Sequence, residues 1–243
     1  MIAYETLFTR RSVRKFEKGA HVSPEELAAL EEFFTRLEPL FPDIKTAFRI
    51  VRREETDCRW GEYAVLLFCE KKEGYLENIG YMGQQIDLWL TENCLGSCWY
   101  GMASSKTPPP EDMDFAILLS FGKSGVDDFR KSREEFQRKD LSKTLEGQAS
   151  GPLLSALEDA RFAPSACNSQ PWRVTVDGNC LSVCRKSDSP LAKVVKKLAL
   201  YYNRMDIGIY LYFLERALRA HGLAFTRQDP QGGEGPFLYR IDE

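Results

Sequence analysis

The chain has 243 residues, of which 43% are hydrophobic and 28% charged, and its formal net charge at pH 7 is −3. This length and composition are typical of a globular protein with a sizeable core, in one large domain or two small ones. The acidic balance does not favour general binding to nucleic acids, which needs a broad basic face. No secretory signal and no membrane-spanning segment is recognisable, so we expect a cytoplasmic protein without a membrane partner.

In the first half of the chain, the hydrophobic pattern predicts helices that alternate with strands. After a short helix over residues 3–9, Ser23 followed by Pro24 and Glu26 is typical of a helix start with a capping box. The pattern then predicts strands over 45–52 and 62–70, a helix over 76–94 stopped at Gly96, a turn over 97–102, and a strand over 114–121 ended by Gly122.

The second half follows a highly charged stretch, residues 127–143, which is typical of a solvated helix or an extended arm. The turn-rich residues 142–152 are the predicted joint between the two halves. The pattern then predicts a helix from Leu153, strands over 173–176 and 181–185, a helix over 198–220 closed by His221-Gly222, a glycine-rich loop over 230–236 and a strand over 237–241.

The order of elements repeats along the chain. Leu27 and Leu30 match Leu154 and Leu157 at an offset of 127, residues 48–51 resemble 172–175 at an offset of 124, and Gly96 matches Gly222 at 126. The near-constant offset predicts two half-repeats, residues 1–147 and 148–243, within one domain over 1–243. The alternative is that the same order of elements recurs by chance, as it does in many α/β proteins.

Cysteine and histidine content bears on metals and disulfides. Seven cysteines cannot all pair within one chain, and two histidines, His21 and His221, do not favour a zinc site. We therefore predict buried, reduced thiols and no metal ligands.

Positive charge is concentrated in one N-terminal stretch, Arg10-Arg11-Ser12-Val13-Arg14-Lys15-Phe16. Arginine grips phosphate oxygens with a planar fork, and a serine hydroxyl adds a neutral hydrogen bond. In an acidic protein, a cluster this short favours a small anion as its target. Taken alone, the run is also typical of a solvated basic patch.

A second stretch, Ala163-Pro164-Ser165-Ala166-Cys167-Asn168-Ser169-Gln170-Pro171-Trp172, combines two prolines with amide and hydroxyl side chains. The prolines stiffen the backbone, and the polar groups between them suit the edge of a flat heteroaromatic ring. No neighbouring histidine or carboxylate would activate a serine as a nucleophile. The alternative is a polar turn before a strand.

Together the two stretches resemble the nitroreductase family of FMN-dependent oxidoreductases, in particular its tandem-fused, single-chain type, the TM nitroreductases. The phosphate motif of the family is matched at Arg10, Ser12 and Arg14. Its Pro-Ser-x-x-Asn-x-Gln-Pro-Trp loop is matched at Pro164, Ser165, Asn168, Gln170, Pro171 and Trp172. Looser similarity extends through residues 95–101, residues 117–122 and Arg138-Lys139.

The resemblance implies an α+β, nitroreductase-like fold with a central mixed sheet flanked by helices, and FMN as the cofactor. It implies that the phosphate is held by Arg10, Arg11, Ser12 and Arg14, with Arg138 or Lys139 as a further cation. It also implies that the flavin ring is lined by Pro164, Ser165, Asn168 and Gln170, with Tyr100 and Gly101 placing a backbone N–H near flavin N5.

The activity implied is transfer of a hydride from NAD(P)H to the flavin, followed by reduction of a small organic acceptor such as a nitro compound or a quinone, in a ping-pong route. No side chain is predicted to act as a general base. The rivals are a relative with another flavin chemistry, such as a dehalogenase-like or flavin-degrading one, a flavin-binding or sensing protein with little turnover, and an interaction module without a cofactor.

One departure from the family pattern bears on assembly. In typical members the loop follows the phosphate motif by a few tens of residues, whereas here it follows by about 150. Family members are usually dimers in which one subunit holds the phosphate and the other supplies the loop. The chain therefore resembles such a dimer fused in tandem, and we expect one flavin per chain and a protein able to remain monomeric.

Overall fold

The computed structural model describes residues 2–186, 196–230 and 235–242. Its contacts divide the chain into two compact units, Met1–Glu135 (unit 1) and Phe136–Glu243 (unit 2). This division lies earlier in the chain than the predicted boundary between residues 147 and 148. Residues 231–234 of the predicted glycine-rich loop lie outside the described residues.

Unit 1 combines an antiparallel sheet with helices. Its elements are α1 (Thr6–Thr9), α2 (Pro24–Phe34), β1 (Thr46–Arg52), β2 (Tyr63–Cys69), α3 (Tyr75–Glu92), β3 (Leu95–Tyr100) and β4 (Asp114–Lys123). The strands lie in the order β1-β2-β4-β3, and each neighbouring pair is antiparallel. β2 is buried along its whole length. α3 packs so closely on this sheet that a Cβ on Gly83 would meet Leu67 at 2.8 Å, so the core of unit 1 lies between α3 and the sheet.

The predicted start of α2 is confirmed in atomic detail. The Glu26 N–H donates to Ser23 Oγ at 3.2 Å, and the Ser23 N–H donates to Glu26 Oε2 at 2.9 Å. These reciprocal bonds satisfy backbone donors that the first helical turn leaves without partners. One face of the helix is then held to the core by Leu30, which is fully buried.

The predicted turn over residues 97–102 is correct only for residues 101–102, because residues 95–100 form β3. α3 ends at Glu92, and Cys94 takes the left-handed φ of 56° that reverses the chain. Gly96 and Gly122 do not end elements as predicted; they face each other inside β3 and β4. Both glycines make room for the basic stretch, since an added Cβ would meet Val13 at 2.9 Å from Gly96 and the Phe16 ring at 2.9 Å from Gly122.

Unit 2 repeats the combination of helices and a sheet. Its elements are β5 (Leu145–Glu146), α4 (Gly151–Ala160), β6 (Trp172–Asp177), β7 (Cys180–Arg185), α5 (Lys196–Ala220), β8 (Phe225–Gln228) and β9 (Phe237–Ile241). Among the described residues the strand order is β5-β6-β7-β9-β8, with β5 parallel to β6 and the other pairs antiparallel. Trp172 of β6 stacks on Tyr210 of α5 with ring centroids 4.7 Å apart, and this pair anchors the helix to the sheet.

Several expectations about this part of the chain need correction. Residues 127–143, all of which are described, contain short 3₁₀ turns and no α-helix, so the alternative of an extended arm is the correct one. The single central mixed sheet is replaced by one sheet in each unit, antiparallel in unit 1 and mixed in unit 2. β8 was missed because only one of its four residues is apolar and its side chains alternate between half-buried and exposed.

The two units share one topology. The strand order β1-β2-β4-β3 in unit 1 corresponds to the order β6-β7-β9-β8 in unit 2. A long helix connects β2 to β3 in unit 1, and another connects β7 to β8 in unit 2. The helix ends correspond at Cys94 and Gly222, which both have left-handed backbones, rather than at Gly96 and Gly222 as predicted. This topology supports an internal repeat, while a fused dimer and its half-repeat boundaries stay predictions.

The remaining sequence expectations concern membranes, metals and thiols. No helix within the described ranges has both the length and the apolar character that a bilayer crossing requires. Among the same residues, no group of three or more His, Cys, Asp or Glu side chains is placed to bind a metal. All seven cysteines are free thiols, as predicted, but Cys94, Cys167 and Cys180 are exposed rather than buried.

Candidate functional site

The basic stretch of unit 1 runs alongside β3. Ser12 forms a parallel bridge with Ser97, and the Val13 N–H donates to the Ser97 carbonyl at 2.8 Å. Val13 is buried, so the stretch is fixed by an apolar side chain as well as by the backbone. The arginines on either side of Val13 are thereby held in a defined position rather than on a free terminal arm.

We expect Gly96→Ala to show how tightly this stretch is seated. The new methyl group would collide with Ser124 Oγ and lie 2.9 Å from Val13, which is tighter than a packed core tolerates. The variant should lose about 1–3 kcal/mol of unfolding free energy in urea titrations. Gly125→Ala is the control, because only Asp128 comes within 4 Å of the added Cβ and the backbone is compatible. Equal stability of the two variants would contradict this packing.

A buried carboxylate on α3, that of Asp87, binds the basic stretch through Arg10. Asp87 is fully buried and accepts from Arg10 Nε at 2.6 Å, from Gln84 Nε2 at 3.2 Å, from Trp99 Nε1 at 3.3 Å and from Ser97 Oγ. Sequence analysis missed Asp87, because its partners are 3 to 77 residues away along the chain. The pattern of α3 alone marks it only as a polar residue on a helix.

The arginines of the stretch fall into two kinds. Arg10 is buried, with Nε on Asp87 and Nη2 donating to Ser12 Oγ at 3.0 Å, so it fixes the serine hydroxyl. Arg11 has a side chain that is 53% exposed and lies 4.0 Å from Glu135. Arg14 is exposed and lies over the Trp60 ring at 5.2 Å from its centroid. Arg11 and Arg14 are therefore the cations that a ligand in solvent can reach.

Arg130 belongs to the same cluster and was also missed by sequence analysis. Its guanidinium donates to the Arg10 carbonyl, and its backbone N–H donates to the Thr9 carbonyl at 2.8 Å. Burial, together with repulsion from Arg10 and Arg11, lowers the pKa of Arg130 to about 10. Like charges this close disfavour one another, and a bound anion would relieve that repulsion. The only sequence signal was one more cation in the charged stretch after β4.

Tyr100 and Gly101 stand at the end of β3, beyond the arginines. Tyr100 is half-buried, meets the Trp60 ring edge-on at 5.1 Å, and donates from its hydroxyl to the Asp57 carbonyl at 3.4 Å. Gly101 is exposed. Tyr100 and Arg14 therefore contact the same ring, that of Trp60, which places these two predicted residues side by side. Cys98 lies beside them, and burial raises the pKa of its thiol, so it is not an activated nucleophile.

The loop over residues 163–172 of unit 2 is closed by its own polar groups. The Gln170 N–H donates to Ser165 Oγ at 2.9 Å, and Gln170 Nε2 donates to the Asn168 carbonyl at 3.1 Å. Asn168 Nδ2 donates to the Gln137 carbonyl at 2.7 Å. Pro164 and Gln170 are buried, Ser165 is half-buried and Asn168 is exposed. The polar side chains thus build the loop, and its exposed rim is formed by Cys167 and Asn168.

Arg138 and Lys139 also bond to this loop. Arg138 donates to the Ala163 carbonyl at 3.0 Å and to Asn168 Oδ1 at 2.7 Å. The Lys139 N–H donates to Gln170 Oε1 at 2.8 Å, and its ammonium donates to the Ser169 carbonyl at 2.5 Å. Burial and the nearby Lys186 lower the pKa of Lys139. Both cations therefore shape the loop, a role that sequence analysis did not foresee.

The loop backbone is strained. Cys167, Asn168 and Gln170 have φ values of 51°, 55° and 49°, in the left-handed region that side chains other than glycine disfavour. Each such residue costs on the order of 1–3 kcal/mol and persists only where its surroundings fix it. Residues with strained backbones of this kind are found most often at active sites and ligand-binding sites. The loop is thus a preformed element rather than a passive turn.

The two sets of residues suit different parts of the cofactor that the family resemblance implies. In unit 1, accessible guanidinium groups stand beside a positioned hydroxyl and a further partly buried arginine, which together suit a dianionic group. In unit 2, a rigid loop presents backbone and amide groups of the type that recognise the edge of a ring. Neither set contains an activated nucleophile or a converging group of metal ligands within the described residues.

The chain matches the family described as "Putative TM nitroreductase" over residues 3–217. A crystal structure described as a putative nitroreductase from Thermotoga maritima is similar, with a TM-score of 0.68 and 22% sequence identity over 99% of this chain and 94% of that one. At this identity the likeness shows the fold alone. No curated protein matches the chain. Because the family match covers most of the sequence, the chain belongs to the putative TM nitroreductase family.

Proposed function

We propose that the protein is an FMN-dependent oxidoreductase of the nitroreductase type. The family suggests an oxidoreductase. The observation that carries the assignment of FMN is the arginine cluster of unit 1, in which exposed Arg11 stands beside the positioned hydroxyl of Ser12 and Arg130 donates to the Arg10 carbonyl. Burial, together with repulsion from Arg10 and Arg11, lowers the pKa of Arg130. A cluster of this kind is stabilised by an anion, and FMN differs from its unphosphorylated form by one phosphate.

In this proposal the phosphate is held by Arg11, Ser12 and Arg14, and Arg130 adds a further positive charge. Arg10 acts from the buried side, because its bond to Asp87 fixes the guanidinium that holds Ser12 Oγ at 3.0 Å. The guanidinium groups would bind phosphate oxygens through charge-assisted hydrogen bonds.

The ring end of the flavin is assigned to the remaining predicted residues. The loop of unit 2 would supply Pro164, Ser165, Asn168 and Gln170, and its shape is maintained by Arg138 and Lys139. Unit 1 would supply Tyr100 and Gly101. One flavin per chain is proposed, because the phosphate motif and the loop each occur once in the sequence.

When bound, FMN would accept a hydride from NAD(P)H and pass electrons to a small organic acceptor, such as a nitro compound or a quinone, in a ping-pong sequence. The residues of this chain would bind and orient the cofactor and place hydrogen-bond donors where reduced flavin concentrates negative charge. No side chain of either set is assigned as a general acid or base.

We expect Arg11→Ala combined with Arg14→Ala to abolish the preference for FMN over riboflavin. Charged hydrogen bonds contribute about 1.5–3 kcal/mol each, so the dissociation constant of FMN should rise about 100-fold or more. Riboflavin lacks the phosphate, and its affinity should change little. Fluorescence titration of apoprotein with each flavin measures both constants.

Lys71→Ala combined with Lys72→Ala is the matched control, because it removes two exposed cations of unit 1 that lie outside the cluster. This control should keep the wild-type ratio of FMN to riboflavin affinity. An arginine variant that also keeps the ratio would show that the phosphate binds elsewhere.

Turnover is tested separately. The purified protein should be yellow, and anaerobic NADPH or NADH should bleach the flavin absorbance rapidly. A nitroaromatic compound or a quinone should then restore the absorbance. A yellow protein that stays oxidised in the presence of both nicotinamides would support the alternative, a flavin-binding or sensing protein.

A further inference from the structure

A buried carboxyl group lies beneath the loop of unit 2. Asp206 of α5 is 3% exposed, and its Oδ1 accepts from the Ala166 N–H at 2.9 Å. Its Oδ2 lies 3.5 Å from the Ser169 hydroxyl, which donates to it. Ala166 and Ser169 stand on either side of Cys167 and Asn168, the two left-handed residues that form the exposed rim. The carboxyl group therefore holds the strained segment at both ends.

In unit 1 an uncharged side chain, that of Asn78, occupies the position that corresponds to Asp206. Asn78 of α3 and Asp206 of α5 each stand fourteen residues before the last residue of their helix. Asn78 Oδ1 accepts from the Leu40 N–H at 2.8 Å and from the Phe41 N–H at 3.0 Å. Residues 40–41 precede the first strand of their sheet motif, as the loop over 163–172 precedes β6. In both units, a buried side chain of the long helix thus binds the chain that leads into the first strand.

From this correspondence we propose that Asp206 is a positioning residue that fixes the loop over residues 163–172 in the conformation that receives the flavin. The part of the proposal that concerns flavin rests on the proposed function, whereas the part that concerns loop conformation does not. Asp206 would not touch the cofactor. It acts through Ala166 and Ser169, whose positions determine where Ser165 and Asn168 point.

The carboxyl group differs from the amide of Asn78 in one respect, because it can ionise. Burial raises the pKa of Asp206 to about 7, against a smaller opposite effect of the Ala166 and Ser169 hydrogen bonds. The cations near the loop, Arg138 and Lys139, bond to Asn168, Ser169 and Gln170. An uncharged asparagine would keep the acceptor that Ala166 needs, as Asn78 does in unit 1. We therefore expect the loop over residues 163–172 to keep its conformation in Asp206→Asn and to lose it in Asp206→Ala.

The test compares Asp206→Ala and Asp206→Asn by two measurements. Hydrogen–deuterium exchange of the apoprotein follows the peptide that contains residues 163–172. Fluorescence titration gives the dissociation constant of FMN. In Asp206→Ala, exchange in the loop peptide should be at least tenfold faster and the FMN dissociation constant at least tenfold higher. In Asp206→Asn, both should stay within about threefold of wild type, and this rescue distinguishes hydrogen-bond positioning from general damage.

Glu215→Gln is the matched control, because Glu215 is another buried carboxylate of α5 and accepts from Arg219, Arg227 and Tyr239, all of which lie outside the loop. Its loop peptide should exchange at the wild-type rate. Unchanged exchange of the loop in Asp206→Ala would overturn the proposal outright. Faster exchange with unchanged FMN affinity would support positioning by Asp206 and would count instead against the assignment of this loop to the flavin.

Discussion

Asp87→Ala should strongly destabilise unit 1. The substitution removes the acceptor that is shared by Arg10, Ser97 and Trp99, and it leaves the Arg10 guanidinium buried without a counter-charge. Removing one partner of a buried ion pair costs about 3–5 kcal/mol, because the remaining charge has neither water nor a partner. Urea titrations followed by tryptophan fluorescence should show a loss of this size.

A double-mutant cycle identifies the source of that loss. If the stranded guanidinium dominates, Arg10→Met combined with Asp87→Ala should be at least about 1 kcal/mol more stable than Asp87→Ala alone. The comparison pair is Glu26 and Lys123, whose side chains are 26% and 29% exposed, so Glu26→Ala should cost less, about 1–2 kcal/mol with the loss of its capping bond included. A double variant as unstable as Asp87→Ala would assign the cost to the lost hydrogen bonds instead.

The features that sequence analysis predicted are those written in neighbouring residues. The capping box at Ser23, the buried strand β2 and the long helix predicted over 198–220 follow from local spacing, and the structure confirms them, with the helix observed over Lys196–Ala220. The basic stretch and the loop were found because each is a contiguous motif. Their residue types identify the chemistry even before any fold is known.

What was missed depends on contacts between distant residues. Gly96 looks like a helix stop in sequence, yet it is glycine because Val13 packs on it from another part of the chain. Arg130 is one cation among many in a charged stretch, and only the fold places it on Arg10. Asp87 and Asp206 are each one of several polar residues in a long helix, and a sequence pattern does not show which of those residues are buried.

The second large effect that we expect is a pH dependence of the unfolding free energy, caused by Asp206. The pKa of this carboxyl is raised from an ordinary value of 3.8 to about 7 in the folded protein, because burial disfavours its ionised form. Between these values the folded state keeps a proton that the unfolded state has released. Since stability rises with pH only where the unfolded state binds more protons, this group makes the unfolding free energy fall as pH rises, by up to about 1.4 kcal/mol per pH unit.

Asp206→Asn removes this titration and leaves every other ionisable group in place. The unfolding free energy of the variant minus that of wild type should therefore increase steadily from pH 5 to pH 7 and level off above it, as urea titrations at each pH would show. Asp177→Asn, which makes the same substitution at an exposed position at the end of β6, is the control for the substitution itself. If the difference in unfolding free energy between Asp206→Asn and wild type did not change with pH, the carboxyl would ionise in the folded protein as readily as it does in water. The acceptor that binds Ala166 and Ser169 would then be a carboxylate over this whole pH range.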